Sequence, residues 1–257
     1  MNYSHGMPAR EMTPGKIGSG VFLYLFPPVC VFCGRILLPD KDKSAAFFSE
    51  TLQICRSCLS VLPLRYPGDR RIACLSNPYD SDPIPDMDVL VPFYYEAPVV
   101  QALRALKFYD APYVASALSF FMIHAMQSEE GSFDAVVPIP LSPKRQKKRG
   151  YNQAELLAKP ISDRMQIPYM PSFLTRTKNT SQQSRFSDPF MRARNVSDAF
   201  AVPDSCDVEG LSLLLVDDVS TTGNTLHEAA WTLYQNGARH VAGMVAASGR
   251  GMKRTPG

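Results

Sequence analysis

The stretch "LLLVDDVSTTGNTL", residues 213–226, decides the fold because it joins a buried strand to a helix through a polar segment. Its four leading apolar residues predict the interior of a strand running over 211–218. Asp217 and Asp218 then lie at the carboxyl end of that strand, where ligands of parallel α/β sheets gather. Gly223 allows a close backbone approach or a positive φ before the next helix. The stretch therefore predicts an α/β fold with a ligand site at this edge.

Short apolar runs alternate with helical segments along the rest of the chain. The helix after the opening stretch is predicted over 225–237, with Gly237 as its C-terminal cap and Trp231 in the core. Further strands are predicted at 133–140 and 240–248, and further helices at 99–110, 114–126 and 151–165, the last with a kink at Pro160. This order predicts a parallel sheet with right-handed crossovers.

Composition restricts the class of protein. The chain has 257 residues, 45% of them hydrophobic and 20% charged, with a formal net charge of +3, values typical of a globular protein. No run approaches the roughly 20 apolar residues that a membrane span requires. The short run "VFLYLFPPV" (21–29) contains two prolines and lacks a small-residue cleavage site. We therefore expect a cytoplasmic protein without membrane insertion.

Two CxxC pairs, Cys30/Cys33 and Cys55/Cys58, stand near the N-terminus. Two such pairs can surround one Zn²⁺ tetrahedrally, and four thiolates leave no position open for water. The spacing therefore predicts a structural rather than a catalytic metal. Buried cysteines without metal are the alternative, and a redox pair is disfavoured because neither pair lies between a strand and a helix.

Segment boundaries follow from these signals. We predict a disordered N-terminus over 1–25, a zinc finger over 26–65 and an α/β domain over 88–250. The connector over 64–88 is rich in Pro, Asp and Ser and predicts a domain boundary. Within the domain, the polar and basic stretch 170–197 predicts a functional lid.

The residues after the acid pair are the candidate ligand contacts. Amides turning into a helix N-terminus, together with hydroxyl groups, make a cradle for phosphate oxygens. Carboxylates would repel a phosphate, so they suit the hydroxyl groups of a sugar or a cation. A phosphorylated sugar satisfies both halves of the motif. The candidate cradle residues are Ser220, Thr221, Thr222, Gly223, Asn224 and Thr225.

Three other interpretations compete. A simple helix cap explains one or two of these residues, but hardly the whole series. A Walker B strand has a similar apolar run ending in acids, yet the chain contains no GxxxxGK[ST] motif. A dinucleotide fingerprint is disfavoured because Gly18-Ser19-Gly20 lacks a third glycine and follows no predicted strand.

The opening stretch resembles the phosphoribosyl pyrophosphate signature of type I phosphoribosyltransferases. The resemblance implies that Asp217 and Asp218 bind ribose hydroxyls, that the following loop holds the 5′-phosphate, and that Mg²⁺ accompanies the ligand. A wider resemblance, to the competence protein F family, spans roughly 30–248. It rests on the cysteine pairs, on "LRALKFYD" (103–110), on "VVPIPLSPKRQKKRGYNQAELLA" (136–158), and on "RTKNTSQQ" (176–183) with "RARNVSDAF" (192–200).

The competence protein F resemblance implies a zinc finger joined to a Rossmann-like type I phosphoribosyltransferase domain. It also implies a role with single-stranded DNA and other competence proteins during natural transformation. One hypothesis is therefore a pentosyl transferase that binds phosphoribosyl pyrophosphate, with an unidentified acceptor. The other hypothesis is a non-catalytic single-stranded DNA-binding factor in which the sugar-phosphate site is regulatory.

Basic residues cluster next to the predicted "VVPIP" strand. We predict a basic loop over 141–150 facing the phosphate site, where pyrophosphate requires positive charge. A solvated basic turn is the alternative interpretation, and a track for single-stranded DNA with Tyr151, Phe186 and Phe190 as stacking faces is another. The candidate cations for the ligand are Lys144, Arg145, Arg149 and Arg176.

Overall fold

The described part of the chain forms a mainly parallel six-stranded sheet with helices on both faces, and a separate two-stranded antiparallel sheet. The computed structural model describes residues 27–37, 52–66, 71–74, 87–126, 132–177 and 199–250. The predicted disordered N-terminus and residues 178–197 of the predicted lid lie outside these ranges, as do Phe186 and Phe190. In the six described ranges, no helix is long and apolar enough to cross a membrane.

Four strands pair in parallel in the order β2 (Met87–Leu90), β8 (His240–Ser248), β7 (Ser212–Ser220) and β4 (Ala135–Pro138). Strand β3 (Phe93–Tyr94) also pairs in parallel with β8. Strand β1 (Arg71–Cys74) pairs antiparallel with β2. This arrangement confirms the predicted parallel α/β fold. Two further short strands, β5 (Thr175–Arg176) and β6 (Phe200–Ala201), lie outside this sheet.

Burial on both sheet faces explains why Leu213–Val216 of β7 and Val241–Ala247 of β8 carry no polar side chain. Leu214 and Val216 of β7 face one cluster of buried residues, while Leu213 and Leu215 face the other. The helices are α1 (Arg56–Leu59), α2 (Val99–Phe108), α3 (Val114–Met126), α4 (Pro143–Arg149), α5 (Gln153–Met165) and α6 (Asn224–Gln235), with a short 3₁₀ turn at Pro171–Phe173. The first cluster contains residues of α2, α3 and α5, and the second contains residues of α6.

Three predictions made from the sequence concern helices α5 and α6. Gly237 has a φ of +87° and donates to Tyr234 O at 3.0 Å, while Ala238 N donates to Leu233 O at 3.1 Å. This is a Schellman motif, so the prediction of a glycine cap is confirmed. Trp231 packs against the second core cluster, as predicted. Pro160 lies within α5, which continues as one helix to Met165.

The predicted boundary over 64–88 is wrong. Residues Arg71–Cys74 pair with Met87–Leu90, so the connector supplies an edge strand to the sheet. The cysteine segment also packs on the sheet, because the Phe32 ring meets the Phe93 ring edge-on with centroids 6.3 Å apart. A segment this short has too few apolar residues for a core of its own, and it shares the core of the sheet.

The predicted basic loop over 141–150 is also wrong in its conformation, because residues 143–149 form helix α4. Ser142 caps this helix by accepting from Arg145 N at 3.4 Å, and Pro143 occupies its first turn. Gly150 ends it with a φ of +79°. Start and stop signals of this kind outweigh the basic composition on which the loop prediction depended.

Strands β5 and β6 pair antiparallel and bring the two ends of the predicted lid together. Thr177 N donates to Ala199 O at 2.9 Å directly beside the strand pair. Residues 175–177 and 199–201 therefore lie side by side.

Candidate functional site

The acid pair lies inside strand β7, two residues before its carboxyl end. β7 pairs with β8 as far as Ser220, which faces Ser248 in the register. Asp218 is buried, and Asp217 is half-buried and accepts a hydrogen bond at Oδ1 from Asp218 N at 2.8 Å. The two carboxylates are therefore fixed to the sheet edge by a regular strand.

Lys107 forms an ion pair with Asp218, and sequence reasoning missed it. Its Nζ lies 2.9 Å from Asp218 Oδ1, and it comes from the last turn of α2. The lysine stands within "LRALKFYD", but helical periodicity gives no signal that it reaches a strand more than a hundred residues away. Because both side chains are largely shielded from water, we expect this pair to be stronger than a surface pair.

Arg149 lies close enough to both acids to interact with their charges. Burial lowers the pKa of Arg149, with a smaller contribution from Arg145, and the carboxylates of Asp218 and Asp217 oppose that decrease. Its guanidinium donates to Gln153 Oε1 at 2.7 Å, and Gln153 is buried. Gln153 therefore orients Arg149 and is a second residue that sequence reasoning missed.

Arg176 approaches the acids from the base of the predicted lid. Burial and then Arg145 lower the pKa of Arg176, while Glu228 and Asp217 oppose the decrease. Its guanidinium carbon lies 5.1 Å from the centroid of the Phe200 ring. The structure thus brings two of the four predicted cations, Arg149 and Arg176, near the acids. Arg145 lies near these two arginines, and the side chain of Lys144 is exposed.

The predicted cradle is a concave site between β7 and α6. It is an open concavity of about 230 Å³, part of which is open to solvent, and it is lined by Asp217, Val219 and the seven residues from Ser220 to Leu226. Ser220 is buried, and its Oγ has no hydrogen-bond partner among the described residues. A buried hydroxyl without a partner is costly, so a ligand oxygen would satisfy it.

The N-terminus of α6 is open towards this cradle. Gly223 occupies the N-cap position with a φ of +82°, and no side chain caps the helix. The first amide N–H groups of a 12-residue helix, together with its dipole, favour an anion at this end.

The four N-terminal cysteines form a cluster. Their sulfur atoms all lie within 4.8 Å of one another, and Cys33 Sγ is 3.8 Å from Cys55 Sγ. In a tetrahedral zinc site with Zn–S bonds of about 2.3 Å, the sulfur atoms are about 3.8 Å apart. The four side chains can therefore hold one metal ion.

Backbone amides support negative charge on this cluster. Cys55 N donates to Cys30 Sγ at 3.4 Å, and Cys58 N donates to Cys55 Sγ at 3.4 Å. Burial opposes ionisation of Cys30, but amide groups of Cys55, Cys33 and Phe32 outweigh it and lower the pKa of Cys30 to about 7. Burial raises the pKa of Cys58, so a metal cation is needed to ionise all four thiols together.

Curated relatives match most of the chain. The DNA utilization protein YhgH of Escherichia coli strain K12 is 35% identical over 220 residues, which cover 83% of this chain and 87% of the relative. Competence protein F of Haemophilus influenzae is 30% identical over 198 residues, covering 75% and 83%. The chain belongs to the competence protein F family. Competence protein ComFC of Bacillus subtilis is 36% identical to this family member over 102 residues, covering 40% of the chain and 39% of the relative. No family model matches the chain.

Solved structures that resemble this competence protein F family member include an amidotransferase and an adenine phosphoribosyltransferase. Glutamine phosphoribosylpyrophosphate amidotransferase from B. subtilis aligns with a TM-score of 0.40 and 18% identity, covering 55% of this chain and 30% of that one. Adenine phosphoribosyltransferase from Leishmania tarentolae aligns with a TM-score of 0.35 and 14% identity, covering 69% of each chain.

The two acids of this family member differ in their surroundings. Enclosure in the protein, followed by the charge of Asp218, raises the pKa of Asp217 to about 7. The amide of Asp218 and the cations Lys107 and Arg176 oppose this increase without cancelling it. Asp218 has Lys107 as a direct partner. The pair therefore combines one carboxylate that is charge-neutralised with one that titrates near neutral pH.

We expect Asp217→Asn to change how stability depends on pH. The pKa of Asp217 is about 7 in the fold, against an ordinary value of 3.8. Between these values the unfolded chain has lost a proton that the fold keeps, so stability falls as pH rises, by up to about 1.4 kcal/mol per pH unit. Asp217→Asn lacks this decrease in stability with pH. The variant should therefore unfold at a higher temperature than wild type at pH 8, and the difference in melting temperature should shrink towards pH 4. Calorimetric melting of both proteins across this range tests it, and a difference that stays constant with pH would contradict it.

Proposed function

We propose that this protein binds phosphoribosyl pyrophosphate at the carboxyl edge of its sheet, and that it is a phosphoribosyltransferase with an unidentified acceptor. The observation that carries the proposal is the buried, unsatisfied Ser220 Oγ beside the uncapped N-terminus of α6, next to two carboxylates. A phosphate oxygen satisfies the hydroxyl and the amides. The carboxylates accept hydrogen bonds from sugar hydroxyls.

The charges around the acids support a ligand that carries several phosphates. Three carboxylates, Asp217, Asp218 and Glu228, stand among four cations. The cations are Lys107, Arg149, Arg176 and Arg145, the last near the other two arginines. The cations therefore exceed the acids, and the excess favours a polyanion. In this proposal the arginines hold the pyrophosphate, because one guanidinium group can donate two parallel hydrogen bonds to two phosphate oxygens.

Each side chain has a separate task in the proposed reaction. Asp217 and Asp218 hold the ribose, Lys107 keeps the Asp218 carboxylate in position, and the cradle fixes the 5′-phosphate. Arg145 and Arg149 stabilise negative charge that grows on pyrophosphate as its bond to the sugar lengthens. Positioning and charge account for catalysis here without a protein nucleophile.

Both metals in the proposal have residues that fit them. Zn²⁺ at Cys30, Cys33, Cys55 and Cys58 is structural, since four thiolates complete its tetrahedral shell. Asp217 would hold a Mg²⁺ ion bound together with the ligand phosphates, and that ion would supply positive charge towards pyrophosphate.

A second candidate function is that of a single-stranded DNA-binding factor of the competence machinery, with the sugar-phosphate site as its regulator. The names of two relatives, a DNA utilization protein and a competence protein, support a role in DNA uptake. The exposed lysines of α4 support contact with a polyanion. The two functions can coexist in one cytoplasmic protein.

Ser220→Ala tests the phosphate cradle. We expect ribose 5-phosphate to bind about tenfold more weakly to the variant, because a charge-assisted hydrogen bond in a shielded site is worth about 1.5–3 kcal/mol. Removing an unsatisfied buried hydroxyl should at the same time leave the melting temperature unchanged or raise it. Calorimetric titration measures the affinity, with Ser205→Ala, an exposed serine outside the cradle, as the control. Equal affinity in wild type and the Ser220 variant would contradict the cradle.

A further inference from the structure

A buried arginine, Arg65, lies at the carboxyl edge of the sheet. It follows Cys58 by seven residues and is only 4% exposed. Its Nη2 donates to Ser248 Oγ at 2.7 Å and to Gly249 O at 3.1 Å, and its guanidinium carbon lies 4.2 Å from the centroid of the Tyr94 ring. Because Ser248 is the last residue of β8, the guanidinium is held at the edge that carries the acid pair and the cradle.

Backbone hydrogen bonds fix Arg65 at this place. Arg65 N donates to Pro92 O and Tyr94 N donates to Pro63 O, both at 2.8 Å. These bonds join the end of the cysteine segment to β3, which in turn pairs with β8. The segment that carries the four cysteines therefore also delivers a cation to the carboxyl edge of the sheet.

One row of paired residues leads from Arg65 to the cradle. Tyr94 of β3 pairs with Ser248 of β8, and Ser248 pairs with Ser220 of β7. Side chains at paired positions of neighbouring strands lie on the same face of a sheet, so the hydroxyl groups of Ser248 and Ser220 share a face. Neighbouring strands are about 4.8 Å apart, which places the guanidinium within about 10 Å of the Ser220 backbone. A positive charge acts over this distance when water is largely excluded between the two groups.

We propose that Arg65 serves the phosphate cradle as a positioning residue, which holds a positive charge behind Ser220 and favours ligands with a doubly charged phosphate. Ser220 Oγ is buried and has no hydrogen-bond partner among the described residues. A phosphate oxygen bound to this hydroxyl lies one strand away from Ser248 and its guanidinium partner. Because the protein interior screens charge less than water does, a cation at this distance raises the affinity for an anion severalfold.

The cysteine segment thus has a second role, which rests on the proposed sugar-phosphate site. Besides packing on the sheet, the segment sets the electrostatic potential at the cradle through Arg65. A phosphate with one negative charge gains about half the free energy that a phosphate with two gains, because the Coulomb energy is proportional to the ligand charge. A general distortion of the cradle would instead weaken both ligands alike.

Three variants test the role of Arg65. Arg65→Gln removes the charge, Arg65→Lys keeps it, and Ser248→Ala removes one hydrogen bond that holds the guanidinium. Calorimetric titration at about pH 7.5 measures the affinity for ribose 5-phosphate, which carries about two negative charges, and for ribose 5-(methyl phosphate), which carries about one. Arg250→Gln is the matched control. The guanidinium carbon of Arg250 lies 4.5 Å from the centroid of the same Tyr94 ring, but its side chain is 68% exposed and paired with Glu96.

The expected result is a loss of affinity that depends on the charge of the ligand. Arg65→Gln should bind ribose 5-phosphate about tenfold more weakly than wild type, and ribose 5-(methyl phosphate) about threefold more weakly. Arg65→Lys should bind both ligands within about threefold of wild type, because the charge remains. Arg250→Gln should bind both ligands like wild type, because an exposed and paired charge is screened.

Ser248→Ala keeps the test decisive if Arg65→Gln does not fold, since it changes one small side chain. We expect it to bind ribose 5-phosphate about threefold more weakly, because the guanidinium is held less firmly. Wild-type affinity in Ser248→Ala and in each folded Arg65 variant, or an equal loss for the two ligands in Arg65→Gln, would overturn the role of Arg65. Weaker binding to Ser220→Ala alongside that result would leave the cradle standing, whereas absence of ribose 5-phosphate binding to wild type would overturn both proposals.

Discussion

Cys55→Ser should abolish metal binding and strongly destabilise the whole protein. Cys30 and Cys58 are buried in the same core cluster as α2 and α3, so loss of the metal disturbs the sheet domain as well. Structural zinc sites in small peptides contribute on the order of 10 kcal/mol to folding. We expect about one zinc per chain in wild type and almost none in the variant, with a melting temperature lower by ten degrees or more.

Metal analysis by mass spectrometry and thermal melting provide the two readouts. Cys206→Ser is the matched control, because Cys206 lies in another part of the fold, where its thiol donates to Ser172 O at 3.4 Å. It should keep the metal. Wild-type zinc content in the Cys55 variant would show that the four-cysteine assignment is wrong.

Gly223→Val should remove ligand binding. Gly223 has a φ of +82°, a conformation that a β-branched residue adopts only with strain of about 1–3 kcal/mol. Any relaxation turns the amides at the start of α6 away from the cradle, and we expect affinity for phosphoribosyl pyrophosphate to fall at least about 100-fold.

Gly210→Val separates strain from binding. Gly210 also has a positive φ, +69°, and a Cβ there meets no atom within 4 Å. Because Gly210 precedes β7 at the opposite end of the strand, its variant should lose similar stability and keep wild-type affinity. Calorimetric titration of both variants with phosphoribosyl pyrophosphate measures their affinities. Equal losses of affinity in the two variants would contradict a specific role for Gly223.

Local sequence signals predicted much of this fold for identifiable reasons. The run Leu213–Val216 is apolar on both faces of the sheet. Gly237 is a glycine directly after a helical pattern, the residue type and position typical of a C-terminal helix cap. The short strands β1 and β3 were missed because they depend on pairing with distant strands rather than on their own periodicity. Helix α4 was missed because its composition is basic, although Ser142, Pro143 and Gly150 carry its start and stop signals.

The candidate site was predictable where it is continuous in sequence. Asp217 to Thr225 form one strand-turn-helix unit, and local chemistry alone indicated a phosphorylated sugar. Lys107 and Gln153 were not predictable, because their contacts with Asp218 and Arg149 arise only when α2 and α5 pack at the sheet edge.

The most direct test of the sugar-phosphate site is calorimetric titration of phosphoribosyl pyrophosphate with Mg²⁺ into wild type and into Asp217→Ala with Asp218→Ala. Asp204→Ala, an exposed acid outside the cradle, is the control. We predict saturable binding to wild type and to the control, and at least about 100-fold weaker binding to the double variant, because both ribose contacts are lost. Absence of binding to wild type, or equal binding to wild type and the double variant, would contradict the site.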